Sequence, residues 1–340
     1  MAPSLWITTY SCLFIGLWQL RPLLRQFGDY FSQQSLIRAY RKSANHLRLL
    51  KEMLETGMVP EAEEWQKIKN FPEPWGQALF LSFSELRAQG AAVVPTLTRA
   101  LRTLDEQVEL IQEGKVKSAQ SMGQAYIGLI LVPLFALVLW FAVPELQSTL
   151  RDFLLIVLFS FFLSSLAFIW LIQVVENARY GNIRKSNRAW LVSVNVCLER
   201  LNALICTGMP GDLAWRKMVE ELSVSSVNSN RKLALTWKSN VWDPDFILKS
   251  EDHSECERLI LQVGTEARRS IQTSLIEGRP CLERIESVHR NFLLDLKLAI
   301  GRELSLLPNR CLKPLFVFIL PSVMVLLFGS LALCFQKYIS

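Results

Sequence analysis

The hydrophobic pattern divides the chain into two kinds of stretch. Four windows are nearly free of charge: 4–20 ("SLWITTYSCLFIGLWQL"), 124–143, 153–175 ("FLLIVLFSFFLSSLAFIWLIQVV") and 314–335. A bilayer core about 30 Å thick takes about 20 apolar residues of helix. The last three windows therefore predict transmembrane helices, and the first, slightly short, predicts an N-terminal membrane anchor over 1–20. Two spans carry a proline, Pro133 in "ILVPLFALVLWF" and Pro321 in "ILPSVMVLLF". Proline removes a backbone donor and clashes with the preceding turn. In a span it is tolerated where neighbours satisfy the freed carbonyl, and it supplies a kink.

Between the windows, 21–122 and 176–313 take up a helical period. "LIRAYRKSANHLRLLKEMLETGM" places Leu36, Ile37, Tyr40, Ala44, Leu47, Leu50 and Leu54 on one face. Gly57 stops that helix as a C-terminal glycine does. Pro60 opens the next, with Glu61, Glu63 and Glu64 near the positive end of its dipole. "FPEPW" (71–75) breaks the chain again, and from about 92 the apolar face runs through Val94, Leu97, Leu101, Leu104, Val108 and Ile111. Gly114 and Gly123 are single glycines, so nothing in the pattern ends this helix before the span. Leu282, Ile285, Phe292, Leu296 and Ile300 repeat the pattern later, with Pro308 and Pro314 interrupting it near the membrane. No run alternates as strands do.

The order span, polar segment, span occurs twice. "LRLLKEMLETGM" (47–58) lies over "LERLNALICTGM" (198–209) at an offset of 151, with Thr56-Gly57-Met58 on Thr207-Gly208-Met209. Further on the offset is 188, and Gly90 meets Gly278, Arg102 meets Arg290, and Pro133 meets Pro321. The difference places an insertion at about 222–258. It begins "LSVSSVNSN", a loop composition, and is expected to be flexible and dispensable to the fold. The predicted fold class is an all-α integral membrane protein built as two divergent repeats of span, cytoplasmic helical bundle and span. Pro133, Pro321, Gly57, Gly208, Gly90 and Gly278 are its candidate hinge or packing positions.

Composition agrees with this division. The 340 residues are 51% hydrophobic and 20% charged, too apolar for an ordinary soluble protein and too charged for a bare membrane bundle. Of the 37 Lys and Arg residues, 35 lie in 21–122 and 176–313. Many stand close to span ends, where cations mark the cytoplasmic side. Both segments are thus expected in the cytoplasm, with the N-terminus, the loop 144–152 and the tail after Phe335 outside. The first window has no Lys or Arg before it and no small-x-small cleavage pattern after it, which reads as an uncleaved anchor. A net charge of +6 beside anionic lipid headgroups needs no nucleic acid to explain it.

Catalytic chemistry finds no foothold. The cysteines (Cys12, Cys197, Cys206, Cys256, Cys281, Cys311 and Cys334) form no C-x-x-C pair and read as buried thiols. His46, His253 and His289 share no ligand spacing, and His46 and His289 fall within helical patterns as structural residues. No phosphate-binding loop, nucleophile elbow or zinc helix motif occurs, so neither an enzyme nor a cofactor is expected. The windows hold no Asp, Glu, Lys or Arg, which argues against an ion-coupled transporter. Glu61, Glu63 and Glu64 read either as solvated acids at a helix start or, with Asp212, Glu220 and Glu221 of the second half, as candidate partner-docking residues.

The stretch "IEGRPCLERIESVHRNFLLDLKLAIGRELSLLPNRCLKPLFVFILPSVMVLLFGSL" (276–331) resembles the closing portion of a type II secretion system F domain. It is most similar to the platform proteins of tight-adherence (Flp-type) pili. "AQGAAVVPTLTRALRTLDEQ" leading to "IGLILVPLF" is a weaker copy of the same pattern. The resemblance implies a platform in the bacterial inner membrane, at the base of a type IV pilus-like filament or secretion pseudopilus. It would couple a separate cytoplasmic hexameric ATPase to the insertion of pilin subunits. It would work as a homo-oligomer or with a paralogous platform subunit, among membrane lipids. A membrane-anchored cytoplasmic scaffold or signalling adaptor is the alternative from another class.

Overall fold

The computed structural model describes residues 35–144, 146, 149–224, 228–239 and 254–339, and these contain helices and turns but no strand. In chain order the helices are α1 (35–55), α2 (Ala62–Gln66), α3 (Trp75–Ala88), α4 (Val93–Ala142), α5 (Leu150–Arg179), α6 (Trp190–Cys206), α7 (Gly211–Ser223), α8 (Asn228–Ser239), α9 (Glu255–Glu277), α10 (Cys281–Ser305), α11 (Leu307–Pro314) and α12 (Leu320–Ile339). The predicted anchor at 1–20 lies outside the described residues.

The chain forms two compact units. A polar unit holds Gln33–Glu113 and Tyr180–Arg302, and an apolar unit holds Gly114–Arg179 and Glu303–Ser340. The pattern predicts a separate bundle for each polar segment; the structure instead joins them in one unit. The reason lies in α6. Its apolar residues run nearly all round, and a helix of that kind must be enclosed. Its Val196 and Ala203 enter the core formed by Ile37, Tyr40, Leu47, Trp75, Phe83, Leu97 and Leu104 of the first segment. Burial pushes the Tyr40 phenol up to about 12.

The insertion is also corrected in part. Residues 228–239 are helix α8, not loop, and Leu233, Ala234 and Trp237 are buried. Trp237 stacks on Trp215 of α7 with ring centroids 5.8 Å apart, and its indole N–H donates to the Ile260 carbonyl of α9 at 3.3 Å. Gly264 makes room for the indole, since a Cβ there would lie 2.5 Å from Trp237 Nε1. Residues 225–227 and 240–253 lie outside the described residues.

The four glycines paired by the sequence offsets all have positive φ, where glycine carries no side-chain penalty. Each closes a helix with the same bond, from the following residue to the carbonyl five positions back: Met58 to Met53, Ala91 to Leu86, Met209 to Leu204 and Arg279 to Ser274. This is the Schellman closure.

Four helical stretches among the described residues are long and apolar enough to cross a membrane: Val93–Ala142, Leu150–Arg179, Lys185–Cys206 and Cys281–Gln336. Two contain the predicted windows 153–175 and 314–335, and Val93–Ala142 covers all but the last residue of 124–143. The additional one, Lys185–Cys206, has the lowest mean hydropathy, 1.3, and 72% of its apolar window is buried inside the protein. It serves as the core helix of the polar unit.

The apolar unit is built the opposite way. Ile127, Leu134, Phe141, Phe159, Phe316 and Phe328 point outward, whereas Ser160, Ser164, Ser322 and Ser330 are buried. Small residues inside and large apolar ones outside suit a lipid solvent, in which helices associate by close packing and hydrogen bonds. Ser322 Oγ donates to the Ser160 carbonyl at 2.6 Å, and Ser164 Oγ to the Gly128 carbonyl at 3.4 Å. Pro133 stands inside the unbroken α4. Ahead of Pro321 the chain widens into a π-helical turn, Leu315–Ile319, closed by the Leu320 N–H on the Leu315 carbonyl. The wider turn eases the clash between a proline ring and the turn before it. Pro308 sits in the first turn of α11, where a missing N–H costs no helical bond.

Candidate functional site

Three helices of the polar unit each turn a polar stripe inward. On α6 it is Asn195, Glu199 and Asn202, spaced four and three, so one face of the helix carries all three. On α4 it is Thr96, Arg99 and Thr103, and on α10 Glu286 and His289. Glu199, Asn202, Arg99, Thr103, Glu286 and His289 meet around a cavity of about 80 Å³ that Arg102, Glu106 and Arg290 also line.

Glu199 is the centre. It is 3% exposed, and burial pushes its carboxyl up to about 7. Its Oε1 lies 2.8 Å from Thr103 Oγ1 and 3.8 Å from His289 Nδ1, while Oε2 has no partner. His289 is buried as well; desolvation first, and then the Arg99 charge, bring its imidazole down to about 4. Its Nε2–H donates to Asn195 Oδ1 at 3.2 Å, and Asn195 Nδ2 donates to the Leu191 carbonyl at 3.3 Å, which fixes the amide orientation. The Arg99 guanidinium donates to Glu286, to Thr96 Oγ1 and to Cys206 Sγ, but its Nε–H has no partner. Asn202, fully buried, has neither amide atom bonded. Buried polar groups without partners cost about 1–3 kcal/mol each, so their concentration around one cavity marks it as a site.

A second buried network is complete. Arg200 is 2% exposed and forms a bidentate pair with Glu221 at 2.8 and 2.9 Å, a bridge to Glu85 at 3.0 Å and a longer bond to Ser82. Lys217 also reaches Glu85 at 3.0 Å. Burial alone would push the Glu85 carboxyl up; bonds from Arg200 and Lys217 outweigh it and hold the group below its ordinary value.

The sequence-derived candidates are dispersed. Glu221 is committed to Arg200. Glu64 pairs with Lys67, and its carbonyl accepts from the His46 ring at 2.9 Å. Glu61, Glu63 and Glu220 are exposed, and Asp212 is half-buried in the first turn of α7. His46 packs edge-on against Phe71, a structural placement, and His253 and Cys12 lie outside the described residues. Among the described residues no group of three His, Cys, Asp or Glu side chains could hold a metal ion. Sequence reasoning missed Arg99, Glu199 and Asn202. The available signal was the spacing of Asn195, Glu199 and Asn202 along a helix otherwise fit for a core. No protein-family model, curated protein or solved structure matches the chain.

Proposed function

We propose that the chain is an inner-membrane platform protein of a type IV pilus-like or type II secretion assembly machine. In this reading both polar segments are cytoplasmic, a separate hexameric ATPase grips the polar unit, and pilin subunits pass from the membrane into a filament. The observation that carries it is α4, a single helix of 50 residues. Its first part packs through Leu97, Leu101 and Leu104 into the polar core, and its last part is a span. A displacement imposed on such a helix at one end needs no loop to relay it. The resemblance at 276–331 and the lack of a nucleotide-binding motif in the sequence point the same way. The matching glycine closures support reading the two halves as diverged copies.

Crosslinking in the native cell, followed by identification of the captured partners, tests the proposal. A hexameric assembly ATPase and prepilins are expected. Capture of signalling proteins without any ATPase favours the adaptor reading, and protease access to the polar unit from the periplasm ends the platform reading.

A further inference from the structure

One hydroxyl hydrogen serves two acceptors beside Glu199. Thr103 Oγ1 lies 3.1 Å from the Arg99 carbonyl and 2.8 Å from Glu199 Oε1, yet a hydroxyl has one hydrogen to give. Asn195, oriented by its bond to the Leu191 carbonyl, takes the Nε2–H of His289. In a neutral imidazole the Nδ1 lone pair then faces Glu199 Oε1 at 3.8 Å. The Arg99 carbonyl and Glu199 Oε1 thus compete for one hydroxyl hydrogen, and His289 Nδ1 faces Glu199 Oε1 as a further acceptor. Glu199 Oε2 is a further buried acceptor without a partner, and Asn202 leaves both its amide oxygen and its amide nitrogen unbonded. One more proton settles the arrangement.

We propose that the α4–α6–α10 cavity is a proton-binding site, in which Glu199 takes a proton from solvent and the Glu199–His289 contact is a neutral acid–imidazole pair. The proposal does not depend on the platform reading.

The charges facing Glu199 do not supply a dedicated counter-ion. From α4 come Arg99, Arg102 and Glu106, and from α10 Glu286, His289 and Arg290; Cys206 shares α6 with it. Arg99, the cation most directly involved, is already engaged with Glu286. Loss of the proton creates a buried carboxylate beside the unpartnered Arg99 Nε–H. Arg99 then has two carboxylates to choose between, Glu286 on α10 and Glu199 on α6. Ionisation therefore loosens the tie between α4 and α10.

The two buried groups act on stability in opposite directions. Glu199, raised from an ordinary 4.5 to about 7, contributes stability that is full below 4.5 and is lost as pH rises through 7. His289, lowered from 6.5 to about 4, contributes stability that is full above 6.5 and is lost as pH falls through 4. In the wild-type protein these largely cancel between 4.5 and 6.5, and single substitutions unmask them. With the full chain in detergent, Glu199→Gln should leave an unfolding equilibrium that shifts toward the folded form as pH rises over that window. His289→Gln should shift it the other way, each by up to about tenfold per pH unit for one proton. Equal pH profiles for the two variants overturn the proposal. A measurement on the wild type stands even if a variant misfolds. The infrared spectrum at pH 6 should show a protonated carboxyl that disappears by about pH 8.5, as an acid of pKa about 7 requires. Glu266→Gln, which removes the other carboxyl held above its ordinary value among the described residues, should retain the band. Absence of the wild-type band at pH 6, or its loss in Glu266→Gln, places no proton on Glu199 and sinks the idea.

Discussion

Arg200 and Glu199 are neighbours in sequence with opposite fates. The Arg200 guanidinium finds two carboxylates and a hydroxyl, so its charge is matched although it is almost fully buried. Glu199 finds a hydroxyl and an imidazole but no committed cation. Removing one partner of a buried ion pair costs about 3–5 kcal/mol, because the other is left uncompensated. Arg200→Ala should accordingly lower the thermal midpoint of the polar unit sharply, and Glu221→Gln by much less, since Glu85 remains to balance the arginine. Equal, small effects in a melting experiment on both variants would show that the network carries no weight. In the sequence, "LERL" reads only as a helix segment matched at an offset of 151. Periodicity identifies α6 as a helix, but the partners of its two charges come from α3, α4, α7 and α10, and no local pattern foretells them.

At the level of elements, legibility depended on whether burial repeats locally. The faces of α1 and α4 were readable because each meets one core: Ile37, Tyr40, Ala44, Leu47 and Leu50 are buried, as are Leu97, Leu101, Leu104 and Val108. Helix α8 was not readable. Its serines and asparagines look like loop, and among the described side chains Leu233, Ala234 and Trp237 tie it to the core. Those three decide its fate. Trp237→Ala should cost about 3–5 kcal/mol, the usual range for a buried tryptophan. Gly264→Ala should also destabilise, because its methyl would meet the indole. Denaturation of the purified protein measures both, and a Trp237→Ala midpoint equal to wild type would restore the view that this segment is dispensable.

For the whole molecule, the sequence was most informative where the physics is coarsest. Three apolar windows long enough to cross a bilayer core fall where the structure has long helices with outward-facing large side chains. The number of globular units was not foretold, because a duplicated pattern does not say whether its copies share a core. The two prolines stand in different backbone settings, Pro133 in an α-helix and Pro321 just after a π-turn. On the platform reading, Pro133→Ala combined with Pro321→Ala should leave membrane insertion and expression intact and abolish filament assembly. Normal piliation in that strain would exclude a bending role.

The π-turn at Leu315–Ile319 has a further effect. One additional residue in a helix advances the azimuth of everything after it by about 100°. Ser322 and Leu326, which face inward from α12, owe that phase to the surplus residue as well as to their own positions. Shortening the turn by one residue would straighten the segment, yet it would also roll the serine to the outer face of the unit and bring a bulky neighbour against α5. The irregularity thus acts as a phase adjuster for the last helix.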